Sequence, residues 1–191
     1  MRQFVISCHA DTGFRAHRLR RIAGGYHGHL DNFIGVHAVM QAYFSGRLGD
    51  TRIELTYGEE DDMAGARAVR RTLGRNDIVA VVDVTGYPTK SDLVIEKCKS
   101  PAMQEFVRAA LRGMQYELFE DCRDPVANED ESDVYRRRTS NVFFLGIPCT
   151  GGDYNLGMVS ARKRSVVAAS EALVRLSRAA RSARIRTPSN R

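Results

Sequence analysis

Residues 78–84 read Ile-Val-Ala-Val-Val-Asp-Val, apolar at every position except Asp83. A strand with water on one face alternates apolar and polar side chains, so a run apolar on both sets of positions must be covered on both faces. Strands of that kind lie inside largely parallel sheets with helices above and below.

The rest of the chain supplies the partners that such a strand needs. Hydrophobic period predicts a buried strand over 3–8 that opens onto His9. Residues 14–29, rich in Arg, Gly and His, read as a loop with one helical turn at most. Asp31 begins a segment whose Ile34, Val36, Val39, Met40, Tyr43 and Phe44 suit a buried helix, ended by Gly46 and Gly49. A strand over 52–57 with Ile53, Leu55 and Tyr57 on one face leads through Gly58 into a helix over 63–73. Further strands are expected over 92–97, 117–120 and 142–147, and helices over 101–112 and 164–180. Pro101 suits the first turn of its helix. Residues 121–138, acidic and then basic with little apolar content, read as irregular loop. The order implies an α/β three-layer sandwich with a mixed, mainly parallel central sheet.

At 191 residues the chain has the length of one domain, placed at 1–180 with a basic tail over 181–191. The net charge of +6 is unevenly spread. Arg162, Lys163, Arg164, Arg175, Arg178, Arg181, Arg184, Arg186 and Arg191 all fall near the end, and without them the chain is close to neutral. A solvated helix face explains this better than nucleic acid, because no RNA-binding or zinc-finger signature accompanies it. No apolar run approaches the roughly 20 residues of a membrane span, and the N-terminus lacks the features of a secretory signal. Cys8, Cys98, Cys122 and Cys149 form no CxxC pair, which argues against a disulfide framework or thiolate zinc site. A reducing, cytoplasmic setting is expected.

In a sheet of this kind ligands sit beyond the carboxyl ends of the strands. His9 follows the first strand, Glu59 and Glu60 the next, and Asp83 closes the apolar run, while Asp31 starts a helix. Each has an ordinary alternative reading: Asp31 as an N-cap, the Glu pair at a helix start, Asp83 bonded to a turn at Thr85 or Gly86. Together they offer one imidazole and several carboxylates to one sheet edge, a donor set for zinc, manganese or cobalt.

In order, these stretches resemble the dinuclear-zinc aminopeptidases and carboxypeptidases, most closely the glutamyl and tetrahedral aminopeptidase branch. His9-Ala-Asp11 with Gly13 resembles that family's HxD motif, LDNFIGVHAV its bridging-aspartate helix, EEDDMAGA its Glu-Glu pair with Gly-Ala, VVDVTG a ligand-bearing strand, and FFLGIPC its late strand. The resemblance implies a zinc-peptidase-like fold with His9, Asp31, Glu60 and Asp83 as metal ligands. It makes Asp11 the group that orients His9, Glu59 the general base, and a peptide or small amide the substrate, with one or two zinc ions as cofactor. The family's final His ligand has no counterpart in GGDYNLGMVSA, where Gly157 stands about at its place and Asp153 or Tyr154 are the substitutes. The family's usual segment before HxD, and an insertion large enough for a lid or dimerisation domain, are also not seen, so the oligomer is open.

Three rival readings compete: a reduced family member that only binds metal or peptide, a metallo-β-lactamase-like site in His27-Gly-His29-Leu-Asp31-Asn32, and a nucleic-acid binder working through the Arg-rich tail.

Overall fold

The computed structural model describes residues 2–127 and 129–185. Its centre is four parallel strands in the order β4 (Arg52–Thr56), β1 (Phe4–His9), β5 (Ile78–Thr85) and β8 (Val142–Thr150). Every residue of β5 is buried, as the apolar run requires. Its alternation divides the core in two. Ile78, Ala80, Val82 and Val84 face a layer that includes α1 (Phe33–Phe44), α3 (Pro101–Ala110) and α5 (Lys163–Ile185). Val79 and Val81 face a smaller layer with α2 (Ala64–Thr72) and α4 (Glu131–Arg136). The architecture is the expected mixed, mainly parallel α/β sandwich.

Strand β8 forks. One flank pairs with β5 over Val142–Pro148, while the other meets β6 (Leu93–Glu96) along its first half and β9 (Val159–Arg162) at its end. From β6 the sheet continues to β7 (Tyr116–Leu118), and from β9 to β3 (Gly25–Gly28) and β2 (Leu19–Ile22).

Two expectations fail, for related reasons. Residues 14–29 are loop only over 14–18: the rest holds the β2–β3 hairpin, held by backbone pairing to β9. All of β2 is exposed, so no apolar alternation betrays it. Within 121–138 lies α4, nucleated by Asp130, which accepts from Ser132 N–H at 2.7 Å and forms a capping box with Asp133. This helix buries Glu131, Ser132 and Tyr135, polar groups that a hydrophobic-period reading passes over. Strand β9 was likewise not anticipated, and α5 runs on to Ile185 rather than stopping at 180. Arg186 and Arg191 lie outside the described residues. Leu55 and Tyr57 are exposed, because β4 is an edge strand. No described helix is long and apolar enough to cross a membrane.

Candidate metal centre

Register alone brings two of the candidate residues together. Ser7 of β1 lies opposite Val81 of β5. Two residues further along each strand stand His9 and Asp83, on the same face as Ser7 and Val81. His9 Nε2 and Asp83 Oδ2 meet at 3.1 Å. This is the end of the face covered by α2 and α4, and beyond it a cleft of about 640 Å³ opens, lined by Asp31, Glu59, Glu60, Asp83, Asp124 and Tyr154 among others.

Asp31 arrives from the opposite layer. The residue that caps α1 is its neighbour: Asn32 Oδ1 accepts from Gly35 N–H at 3.0 Å, and Asn32 Nδ2 donates to the Val82 carbonyl at 2.9 Å. A Cβ on Gly35 would meet Asn32 Oδ1 at 2.1 Å, so the cap needs glycine there. With Asn32 tied to β5 and capping the helix, the Asp31 carboxylate is free for another role, and Oδ1 reaches 3.2 Å from His9 Nε2. Asp11 faces the other ring nitrogen at 3.5 Å, and its second oxygen accepts from Gly58 N–H at 3.0 Å. That bond ties the end of β1 to the turn carrying Glu59 and Glu60. His9, Asp31 and Glu60 place ligand atoms within 4.8 Å of one another, the one such group of His, Cys, Asp and Glu among the described residues.

One imidazole N–H cannot serve two carboxylates. Nε2 engages Asp83, and Asp31 Oδ1 is left buried with no hydrogen-bond partner, as are His9 Nδ1 and Asp11 Oδ1. Unpaired buried polar atoms are costly. The electrostatics agree. Burial, then the charge of Asp83, pushes Glu59 up to about 9. Burial raises Asp83 to about 7, against the pull of His9 and with the push of Asp31. Glu60 is raised by burial and by Asp31. Burial pulls the imidazolium of His9 down, but Asp83 and Asp31 outweigh it and hold it well above its ordinary range. The cluster thus has more negative charge than its one cation can balance. A divalent ion among these oxygens and one nitrogen would answer both the orphaned atoms and the excess charge.

No protein-family model matches this chain, and no curated protein matches it. Solved structures do. The structure of prApe1 aligns with a TM-score of 0.67 over 90% of this chain and 47% of its own, at 11% identity. Yeast aminopeptidase 1 aligns at 0.64 over 88% of this chain and 49% of its own, at 12% identity. An M18-family aminopeptidase from Thermotoga maritima aligns at 0.62, over 85% and 48%, at 14% identity. The fold is the aminopeptidases' fold. This chain spans about half the length of each of these proteins.

Gly157, where the resemblance leads one to expect a final histidine, has open space around it. Asp153 turns to its own loop, accepting from Asn155 N–H at 2.9 Å. Tyr154 instead enters the cleft wall, where its hydroxyl donates to Asp124 at 2.8 Å, and Asp124 also accepts from Gly86 N–H at 2.7 Å. Sequence reasoning passed over Asp124 and over the capping role of Asn32. Asp124 lies in a segment without periodicity, whereas Asn32 sits beside Asp31, and Asn is among the best N-cap residues. His27 bonds to Ser160 at 3.0 Å and His29 stacks on Phe14 at 4.0 Å, both in the hairpin region and not in the His9 cluster.

Proposed function

We propose that this chain is a zinc-dependent hydrolase of peptide or related amide bonds, acting in the manner of an exopeptidase. The observation that carries the reading is His9 Nε2 set between two buried carboxylates, at 3.1 and 3.2 Å, with Asp31 Oδ1 left without a hydrogen bond. His9, Asp31, Glu60 and Asp83 would hold one or two ions; zinc suits the donors best, with manganese or cobalt also compatible. Bound there, the ion would polarise the scissile carbonyl and make water acidic enough to attack near neutral pH.

The chain's own groups do the rest. Glu59 lines the same cleft and serves as general base, taking a proton from the attacking water and passing it to the leaving amine. Its raised affinity for protons suits the second half of that task. Asp11, anchored by Gly58 N–H, positions the ring of His9 by facing Nδ1. A cleft of about 640 Å³ has room for a short peptide or small amide. In this reading residues 1–180 form a single catalytic domain, and the four free cysteines fit a reducing cytoplasm. The structural neighbours include a PhTET1 dodecamer, which makes self-assembly a further possibility to measure.

The open space around Gly157 favours a second reading, a binding module with a reduced metal site. Zinc content per chain and hydrolysis of aminoacyl anilides and dipeptides separate the two. Bound zinc with turnover that falls about 10²- to 10⁴-fold in Glu59→Gln, while zinc stays bound, supports the hydrolase. Bound zinc with no turnover in either form supports the module, and no bound zinc refutes both.

A further inference from the structure

The β2–β3 hairpin carries a charge that the cleft chemistry does not use. Between residues 12 and 30 there is no Asp or Glu, yet Arg15, Arg18, Arg20 and Arg21 all fall there, each exposed. Among the described residues, arginines in ion pairs lie elsewhere, at Arg47, Arg52, Arg67, Arg162, Arg164 and Arg175. Strand β2 ends the sheet, and its only described strand partner is β3. Both its faces are uncovered, because all four of its residues are exposed.

Charged side chains on an edge strand commonly serve to repel another strand. That purpose does not account for Leu19 at 54% and Ile22 at 38% exposure, apolar groups that bracket the two central arginines. His29 N–H donates to the Arg18 carbonyl at 2.9 Å. The alternation of an antiparallel ladder then turns the Arg20 and Ile22 backbone groups toward β3 and those of Leu19 and Arg21 outward. Outward N–H and C=O groups are the template for strand addition. Residues directly opposite each other on paired strands share a face, so a docked strand would set its own side chains beside Leu19, Arg20, Arg21 and Ile22 in turn. A second copy of β2 in that place would put arginine against arginine. We infer that the free edge of β2 docks an extended acidic segment of another protein, of the pattern apolar–acid–acid–apolar, by adding it as a further strand.

The probe is a blocked hexapeptide, threonine–valine–glutamate–glutamate–valine–threonine, titrated into the full chain and followed by the amide signals of β2. Saturable binding is expected, together with signal changes centred on Leu19–Ile22. Affinity should fall about tenfold or more in Arg20→Glu/Arg21→Glu, whose opposite-charge pairs become like-charge pairs. It should fall by a similar factor for the same peptide N-methylated at the amides that face β2, a comparison made on the unaltered protein and so independent of how the variant folds. Absence of saturable binding leaves edge protection as the explanation and overturns the inference. So does equal binding of the N-methylated peptide, or tighter binding of an oligothymidylate, either of which would reduce the hairpin to a general anion site. The outcome does not depend on whether the His9 cluster binds metal.

Discussion

Zinc added to the metal-free chain at pH 7 should expel protons, in a number fixed by the crowding around His9. Glu59, pushed up to about 9, is almost wholly protonated at that pH, and Asp83, at about 7, is half protonated. His9, held well above its ordinary range, carries a proton that it must lose to bind a metal through nitrogen. Neutralising the cluster with a divalent cation should therefore release about two to three protons per chain. The apparent zinc affinity should then tighten about a hundredfold or more for each pH unit near neutrality. Calorimetric titrations in two buffers of different ionisation enthalpy count the protons directly. In Glu59→Gln the count should drop by about one while zinc still binds. Release of less than one proton, or affinity that stays flat between about pH 6 and 8, would show that these groups do not share the ion and would refute the reasoning.

Other outcomes follow from the same geometry. Asn32→Ala removes the α1 cap, worth about 1 kcal/mol, and leaves the Val82 carbonyl without its donor, a further ~1–3 kcal/mol; urea denaturation should show the combined loss. Gly35→Ala drives a Cβ into Asn32 Oδ1, so it should weaken zinc binding as well as stability, by displacing the neighbouring Asp31; zinc affinity equal to that of the parent would sink this link. Glu59 and Asp83 bind protons more tightly folded than unfolded, so their contribution to stability is greatest below about pH 4 and is lost as pH rises toward about 9. Thermal melts of the metal-free chain should fall across that window, and saturating zinc should flatten the trend.

Much of this was legible in the sequence, and the rest was hidden for identifiable reasons. The run at 78–84 announces a strand covered on both sides because coverage leaves a signature at every position. The His9, Asp31, Glu59, Glu60 and Asp83 set could be gathered because strand ends in a parallel sheet share one edge. Sequence spacing could not reveal that Asn32 rather than Asp31 caps α1, since both residue types make good caps and only the bond from Gly35 N–H, made by an Asn32 side chain held on Val82, decides between them. Strand β2 and helix α4 escaped because their stabilising partners are backbone groups and buried polar side chains: Ser7 hydroxyl with Glu131 and Tyr135, each at 2.7 Å, is a network that no hydrophobic pattern encodes.

The two sides of the sheet meet at His9. Asp83 belongs to the face packed by α2 and α4, whereas Asp31 is delivered by the helix packed on the reverse face. An ion gripped by both would act as a rivet through the upper border of the sheet, clamping together the two layers that the sheet separates. Loading should then slow amide exchange in those two strands at positions far from any ligand, so that the occupancy of the cleft could be read in the rigidity of the core beneath it.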